Sequence, residues 1–291
     1  MPPGTARCKH APAAVGGPLQ GHRHGTWAPQ KKGPGQARTA DAMINLTHGR
    51  RDTAPPSNLT GRILALDWAR SLAIVGMIVF HFVRDLEMFG YLPRGATLVG
   101  GWPLFARAIA GAFLLLSGVS LVLAHAHGVR WGPWLRRLGL VAGAAALVSL
   151  ATYVVFPDRF IYFGILHAIA LCSVVGLPFL FLPGAAALAA ALAVFALPAL
   201  VTEPPFASVW LAWTGLGANV PPSYDFVPLV PWLAPFLLGM ALARVLPRPA
   251  APARGPGRLA RALAWPGRHS LAIYLLHQPI LFGLFWALRL A

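Results

Sequence analysis

Long apolar runs alternate with short polar connections from about residue 62 to the end of the chain. A helix needs roughly 20 apolar residues to cross the hydrocarbon core of a membrane, and most of these runs have about that length. The pattern therefore predicts an all-α membrane protein, a bundle of about seven transmembrane helices at 63–83, 103–125, 134–156, 160–182, 184–201, 227–246 and 269–289.

Residues 1–61 have a different pattern, because Gly, Pro, Thr and Arg are frequent and large apolar side chains are few. Such a segment does not bury enough apolar surface to offset the entropy of ordering it. We expect a disordered cytoplasmic tail at 1–61, followed by a multi-pass transmembrane domain at 62–291. Met43 opens a more ordinary membrane-protein start, so part of the tail is a candidate for an over-called start codon.

The charges are few but strongly biased. The chain has 24 Lys and Arg against 8 Asp and Glu, yet only 11% of its residues are charged, whereas soluble domains average about 25%. Arginines cluster before the first apolar run, after the second and after the sixth, which predicts these connections on the cytoplasmic side. The N-terminus is then cytoplasmic and the C-terminus outside. This distribution indicates a lipid bilayer as partner and argues against nucleic acid.

Ionisable side chains are frequent in the first apolar run, which contains Asp67, Arg70, His81 and, at its far end, Asp85. Each such group costs roughly 2.5–3.5 kcal/mol in a bilayer, so together they indicate a functional site. The spacing places Arg70 and His81 on one helix face, about 16 Å apart along the axis. Asp67 is predicted to pair with Arg70, and Asp85 to orient His81. The alternative is an interfacial ion pair and a histidine bonded to a neighbouring helix.

Three further polar groups inside apolar runs are candidates: Arg107, His167 and His277, the last beside Gln278 and Pro279. A proline removes a backbone hydrogen bond one turn back and can kink the helix, which opens space for a polar pocket. The alternative is an inter-helix hydrogen bond for each histidine and an interfacial anchor for the arginine.

Small residues recur in the second and third runs and are predicted to let helices approach closely. They are Ala110, Gly111, Ser117, Gly118, Ser120, Gly143, Ala144, Ala145 and Ala146. The two cysteines, Cys8 and Cys172, lie in segments of opposite character and show no metal-ligand spacing. We therefore expect neither a disulfide nor a metal site.

Four segments together resemble a known group of membrane enzymes: RILALDWARSLAIVGMIVFHF (62–82), FARAIAGAFLLLSGVSL (105–121), FGILHAIAL (163–171) and GRHSLAIYLLHQPIL (267–281). The first resembles the opening helix of bacterial membrane acyltransferases, which include family 3 and its relatives. Family 3 has an Arg, ten residues and a His in this helix, and they match Arg70 and His81. The others look like the related heparan-α-glucosaminide N-acetyltransferase-like catalytic domain. The resemblance implies an acyltransferase-like domain over 62–291.

The resemblance implies transfer of an acyl group, acetyl above all, from cytoplasmic acyl-CoA to a hydroxyl or amine of a glycan or other envelope acceptor. Acetyl-CoA is then a co-substrate, no cofactor is bound permanently, and the location is a bacterial inner membrane. The lysosomal N-acetyltransferases are thought to use a histidine in the loop before the second helix. The corresponding loop, about 90–102, contains no histidine, which makes His81 the better candidate.

Acyl transfer needs a base for the acceptor's proton and donors for the oxyanion. We predict His81 as the base, Asp85 as the group that orients it, and Arg70 as the contact to CoA. The substrate pocket is predicted to contain the remaining candidates, namely Asp67, Arg107, His167, His277 and Gln278. Two alternatives stay open: a transporter of a small polar solute, and haem ligation by two intramembrane histidines.

Overall fold

The computed structural model describes residues 64–201, 205–246 and 257–290, and these ranges fold into helices joined by loops. The only β contacts in the described ranges are isolated bridges, so the predicted all-α class is confirmed. The predicted tail at 1–61 lies outside the described residues. The helices are α1 (Leu64–Met88), α2 (Trp102–Ala124), α3 (Trp131–Val155), α4 (Ile165–Val175), α5 (Gly184–Leu200), α6 (Leu229–Val245), α7 (Arg258–Arg268) and α8 (Ser270–Leu290).

Seven of these helices are apolar, and each overlaps one of the seven predicted membrane spans. α1, α2, α3 and α8 are long and apolar enough to cross a bilayer, whereas α4, α5 and α6 are shorter. The chain is therefore a multi-pass membrane protein. α7 was not predicted; it has 11 residues, and its arginines are interleaved with apolar side chains in an amphipathic pattern.

The fourth predicted span, 160–182, departs most from the structure, because α4 covers only Ile165–Val175. The segment before α4 is not helical and runs back along α3, where Ser149 Oγ donates a hydrogen bond to the Ile161 carbonyl at 2.6 Å. In the first turn of α4, His167 Nε2 lies 3.1 Å from the same Ser149 Oγ. Ser149 is six residues before α3 ends at Val155, so α4 begins about 9 Å inside the end of α3. The sequence does not show this boundary, because the extended segment and the helix that follows it belong to one continuous apolar run.

The centre of the bundle is the contact between α2 and α6, where each helix presents a glycine. A Cβ added at Gly118 would overlap the Phe236 carbonyl, and a Cβ added at Gly239 would overlap the Leu115 carbonyl. The two backbones therefore touch, which is how small residues join membrane helices. Buried apolar side chains surround this contact, among them Leu114, Val119, Leu237 and Met240.

One end of the bundle contains the start of α1, the end of α2, the starts of α3 and α8, and all of α7. We call it the basic end because arginines gather there, and the other the opposite end. α7 is fixed to α1 by a close contact: a Cβ at Gly267 would overlap the Asp67 carbonyl. The Gly267 N–H donates to Ser71 Oγ at 2.8 Å, so α7 and α1 form one unit at the basic end.

Candidate active site

A cavity of about 650 Å³ lies between α1, α2, α3, α4 and α8 and extends inward from the basic end. Its wall is mostly apolar, and its polar side chains are Arg70, Arg136, Arg137, Ser117, Ser270 and Tyr274. Small-molecule and cofactor sites typically have roughly this size, with a few placed polar groups on an apolar wall. Three guanidinium groups and no carboxylate among the described lining residues make the cavity suitable for an anionic ligand.

Arg70 is held at this cavity by a buried carboxylate. Its Nη1 lies 3.3 Å from Oδ1 of Asp67, and its Nη2 donates to Ser120 Oγ on α2. The other oxygen of Asp67 accepts a hydrogen bond from Arg268 Nε at 3.3 Å. The side chain of Asp67 is only 2% exposed, so it fixes both guanidinium groups. The Asp67–Arg70 pair predicted from their spacing is confirmed.

Arg136 and Arg137 line the cavity from the second turn of α3. Neither has a hydrogen bond or ion pair with another described residue. Arg137 lies close enough to Arg70 for the two like charges to interact. Because Arg136 and Arg137 have no carboxylate partner among the described residues, their charges favour an anionic ligand. In the sequence, these arginines indicated only which connections face the cytoplasm. Their position inside the third apolar run is the signal that could have identified them as site residues.

The deep end of the cavity is formed by Phe113, Ile165 and Tyr274, and a carboxylate lies directly behind it. The Ile165 N–H donates to Oδ2 of Asp225 at 3.0 Å, and the Asp225 carboxylate interacts electrostatically with Tyr274. Burial raises the pKa of Asp225 above its ordinary value, although the hydrogen bond from Ile165 opposes this. Asp225 was not singled out from the sequence because it lies in a connection, and only folding brings it to the start of α4.

His167 was predicted to line the substrate pocket, but the structure uses it to cap α4. Its Nδ1 accepts the Gly164 N–H at 3.2 Å, and its Nε2 lies 3.1 Å from Ser149 Oγ on α3. Because Nδ1 is an acceptor, the ring is protonated at Nε2 and donates to the serine. His167 is not among the residues that line the cavity. It ties the start of α4 to α3.

We expect His167→Ala to lower the free energy of unfolding by about 1 kcal/mol, because it removes a helix cap and leaves the Gly164 N–H without its partner. The measurement is thermal unfolding of the purified protein in detergent. His127→Ala is the matched control, since His127 is exposed. Equal melting temperatures for the two variants would contradict a capping role.

His81 and His277 form a second polar group, one helical turn beyond Tyr274. Their ring centroids are 4.8 Å apart in an edge-to-face arrangement. His277 Nδ1 donates to the Tyr274 carbonyl at 2.7 Å, while its Nε2 is buried and has no partner among the described residues. Nearby, Gln278 Nε2 donates to Oδ1 of Asp85 at 2.8 Å. The structure thus brings four of the predicted residues together: His81, Asp85, His277 and Gln278.

Three predicted arrangements differ from the structure. Arg70 lines the cavity, but His81 does not. His81 lies against His277, so Arg70 and His81 share a face of α1 but not a cavity. Asp85 accepts its hydrogen bond from Gln278 on α8 instead of orienting His81. Arg107 is exposed on α2 and does not line the cavity. In each case the side chain's surroundings depend on which helix lies next to it, and the spacing along one helix does not reveal this.

Apolar helices around an arginine-lined cavity that opens at the basic end define a multi-pass membrane protein. The family model described as heparan-alpha-glucosaminide N-acetyltransferase, catalytic, matches residues 62–279. The match covers most of the chain, and the chain therefore belongs to this family of membrane acetyltransferases. No curated protein and no solved structure matches the chain.

Proposed function

We propose that this protein transfers an acyl group, acetyl above all, from acyl-CoA bound in the cavity to a hydroxyl or amine of a glycan or other envelope acceptor. Membership of the acetyltransferase family supports the reaction class. The proposed location is a bacterial inner membrane. Acyl-CoA acts as a co-substrate that is consumed and released.

The observation that carries this proposal is the distribution of charge in the cavity. Arg70, Arg136 and Arg137 supply three guanidinium groups, whereas the deep end is largely apolar. CoA has a matching polarity, since its phosphates are anionic and the arm that carries the thioester is uncharged. Guanidinium forks bind phosphate in a bidentate manner. In this arrangement the phosphates bind the arginines and the thioester reaches Tyr274.

The proposed orientation places the basic end in the cytoplasm, because arginine-rich connections are retained on that side. The cavity then receives its donor from the cytoplasm, where acyl-CoA is made. The N-terminus is cytoplasmic and the C-terminus outside. A cysteine-labelling experiment with an impermeant reagent, using single cysteines at exposed positions 127 and 158, tests this orientation. Labelling of position 127 in intact cells would contradict it.

The function is tested with acetyl-CoA as the probe. Purified protein should bind acetyl-CoA in calorimetry, and membranes from producing cells should transfer label from [¹⁴C]acetyl-CoA to envelope material. His81→Gln in the same assay tests the predicted role of His81 as the base, which stays a prediction. Absence of acetyl-CoA binding, or uptake of a solute without consumption of CoA, would contradict the proposed function.

Arg137→Ala is expected to weaken acetyl-CoA binding by about tenfold or more, because a hydrogen bond to a charged group contributes about 1.5–3 kcal/mol. The dissociation constant is measured by calorimetry at fixed salt concentration, since the contact is ionic. Arg107→Ala provides a matched control, because Arg107 is exposed and lies outside the cavity. The same loss of affinity in both variants would point to a general effect of charge instead of a site.

A further inference from the structure

Asp225 is the acidic side chain next to the deep end of the cavity, and within the described ranges it forms no ion pair with arginine or lysine. Asp67 is paired with arginines. Asp85 and Glu87 accept hydrogen bonds from neutral groups nearer the opposite end, and Asp158 is exposed. Asp225 is therefore placed differently from the other described carboxylates, close to where the thioester of a bound donor would end.

The backbone at the start of α4 is shaped around this carboxylate. Ile165 donates its N–H to Oδ2 of Asp225, and a Cβ added at Gly164 would overlap that same oxygen. On the other side, Tyr274 both lines the cavity and interacts electrostatically with Asp225. Asp225 therefore lies behind Ile165, which lines the deep end of the cavity, and is near enough to Tyr274 for the two groups to interact electrostatically.

We propose that Asp225, in place of His81, is the catalytic base of the acyl transfer and that Tyr274 donates a hydrogen bond to the thioester carbonyl oxygen. The inference rests on the proposed function. The acceptor's O–H or N–H proton moves to the Asp225 carboxylate as the oxygen or nitrogen bonds to the carbonyl carbon. The C–S bond then breaks, and the proton passes from Asp225 to sulfur, which leaves as the CoA thiol. Tyr274 stabilises the oxyanion between these steps.

The electrostatic environment suits this role. Burial raises the pKa of Asp225, and a carboxylate with a raised pKa is a stronger base at neutral pH. Of the titratable side chains near it, Tyr274 on α8 interacts electrostatically with Asp225, and His167 in the first turn of α4 accepts the N–H of the adjacent Gly164. Because the ionised carboxylate is the active form, turnover should fall as the pH falls through the raised pKa.

Asp225→Asn in the full-length protein tests the inference. Asparagine keeps an oxygen that can accept the Ile165 N–H, so the start of α4 is retained. Turnover is expected to fall about 10²- to 10⁴-fold, the usual contribution of a general base, while acetyl-CoA affinity is unchanged. The acidic limb of the pH profile should disappear with Asp225→Asn and persist with His167→Ala. Asp158→Asn, the same change at an exposed position, should behave as wild type.

Gly164→Ala provides an independent variant, because it keeps both side chains but adds a methyl group where the Asp225 oxygen lies. It should lower turnover, whereas Gly283→Ala, with open space around its Cβ position, should not. If Asp225→Asn does not fold, Gly164→Ala and the wild-type pH profile decide the question. If the wild type binds and transfers the acetyl group, then full turnover in Asp225→Asn, or a rate independent of pH in the acidic range, overturns the role of Asp225 alone. Failure of the wild type to bind acetyl-CoA overturns the proposed function.

Discussion

Gly239→Leu is expected to leave no stably folded protein, because the α6 backbone touches the α2 backbone at this point. The leucine side chain would have to occupy the volume of the Leu115 carbonyl. Adding a side chain to a packed interior usually costs about 1–3 kcal/mol. Here the obstacle is main chain, which has no alternative rotamer, so the two helices must separate. The measurement is the fraction of detergent-solubilised protein that elutes as a single folded species.

Gly143→Leu is the matched control for this prediction. Gly143 lies in α3, another apolar helix, but a Cβ there meets nothing within 4 Å. Its leucine variant should therefore fold with the wild-type yield. A folded Gly239→Leu protein with an unchanged melting temperature would show that α2 and α6 are not in backbone contact.

Asp67→Ala has the second largest expected effect, because Asp67 binds Arg70 and Arg268 at once. Removing one partner of a buried ion pair costs about 3–5 kcal/mol, since the remaining charges lose their compensation. Arg70 also loses the group that holds it at the cavity. We therefore expect a lower melting temperature together with weaker acetyl-CoA binding.

The combined readout separates the two roles of Asp67. Asp158→Ala makes the same change at an exposed position, and both measurements should stay at wild-type values. Asp67→Asn keeps the volume and one acceptor oxygen, so its stability should lie between wild type and Asp67→Ala. An Asp67→Ala protein that binds acetyl-CoA with wild-type affinity would contradict the positioning of Arg70 by this carboxylate.

Most of the helical architecture could be predicted, because the lengths of the apolar runs are set by the bilayer. The limits of α4 could not, since the segment before it is apolar in either conformation. The choice of glycines was equally hidden: Gly118 and Gly143 look alike in the sequence, but only Gly118 meets a neighbouring backbone. The sequence also does not identify its partner Gly239, because close approach of two helix backbones depends on which helix lies opposite.

The site could be predicted only in part. Periodicity along α1 identified the Asp67–Arg70 pair, because both members belong to one helix. It did not identify Arg137, which lines the cavity from α3, or Asp225, which lies behind its deep end in the connection before α6. Contacts of this kind depend on the arrangement of helices, and no spacing within a single run encodes them.

The recessed start of α4 has a consequence for how two reactants from different compartments could be brought together. Because this helix begins about 9 Å inside the end of α3, the deep end of the cavity, where Ile165 starts α4, is recessed by about that depth from the far end of α3. Under the proposed function, a thioester delivered from one side and a nucleophile arriving from the other would be separated by less than the full length of a membrane-spanning helix.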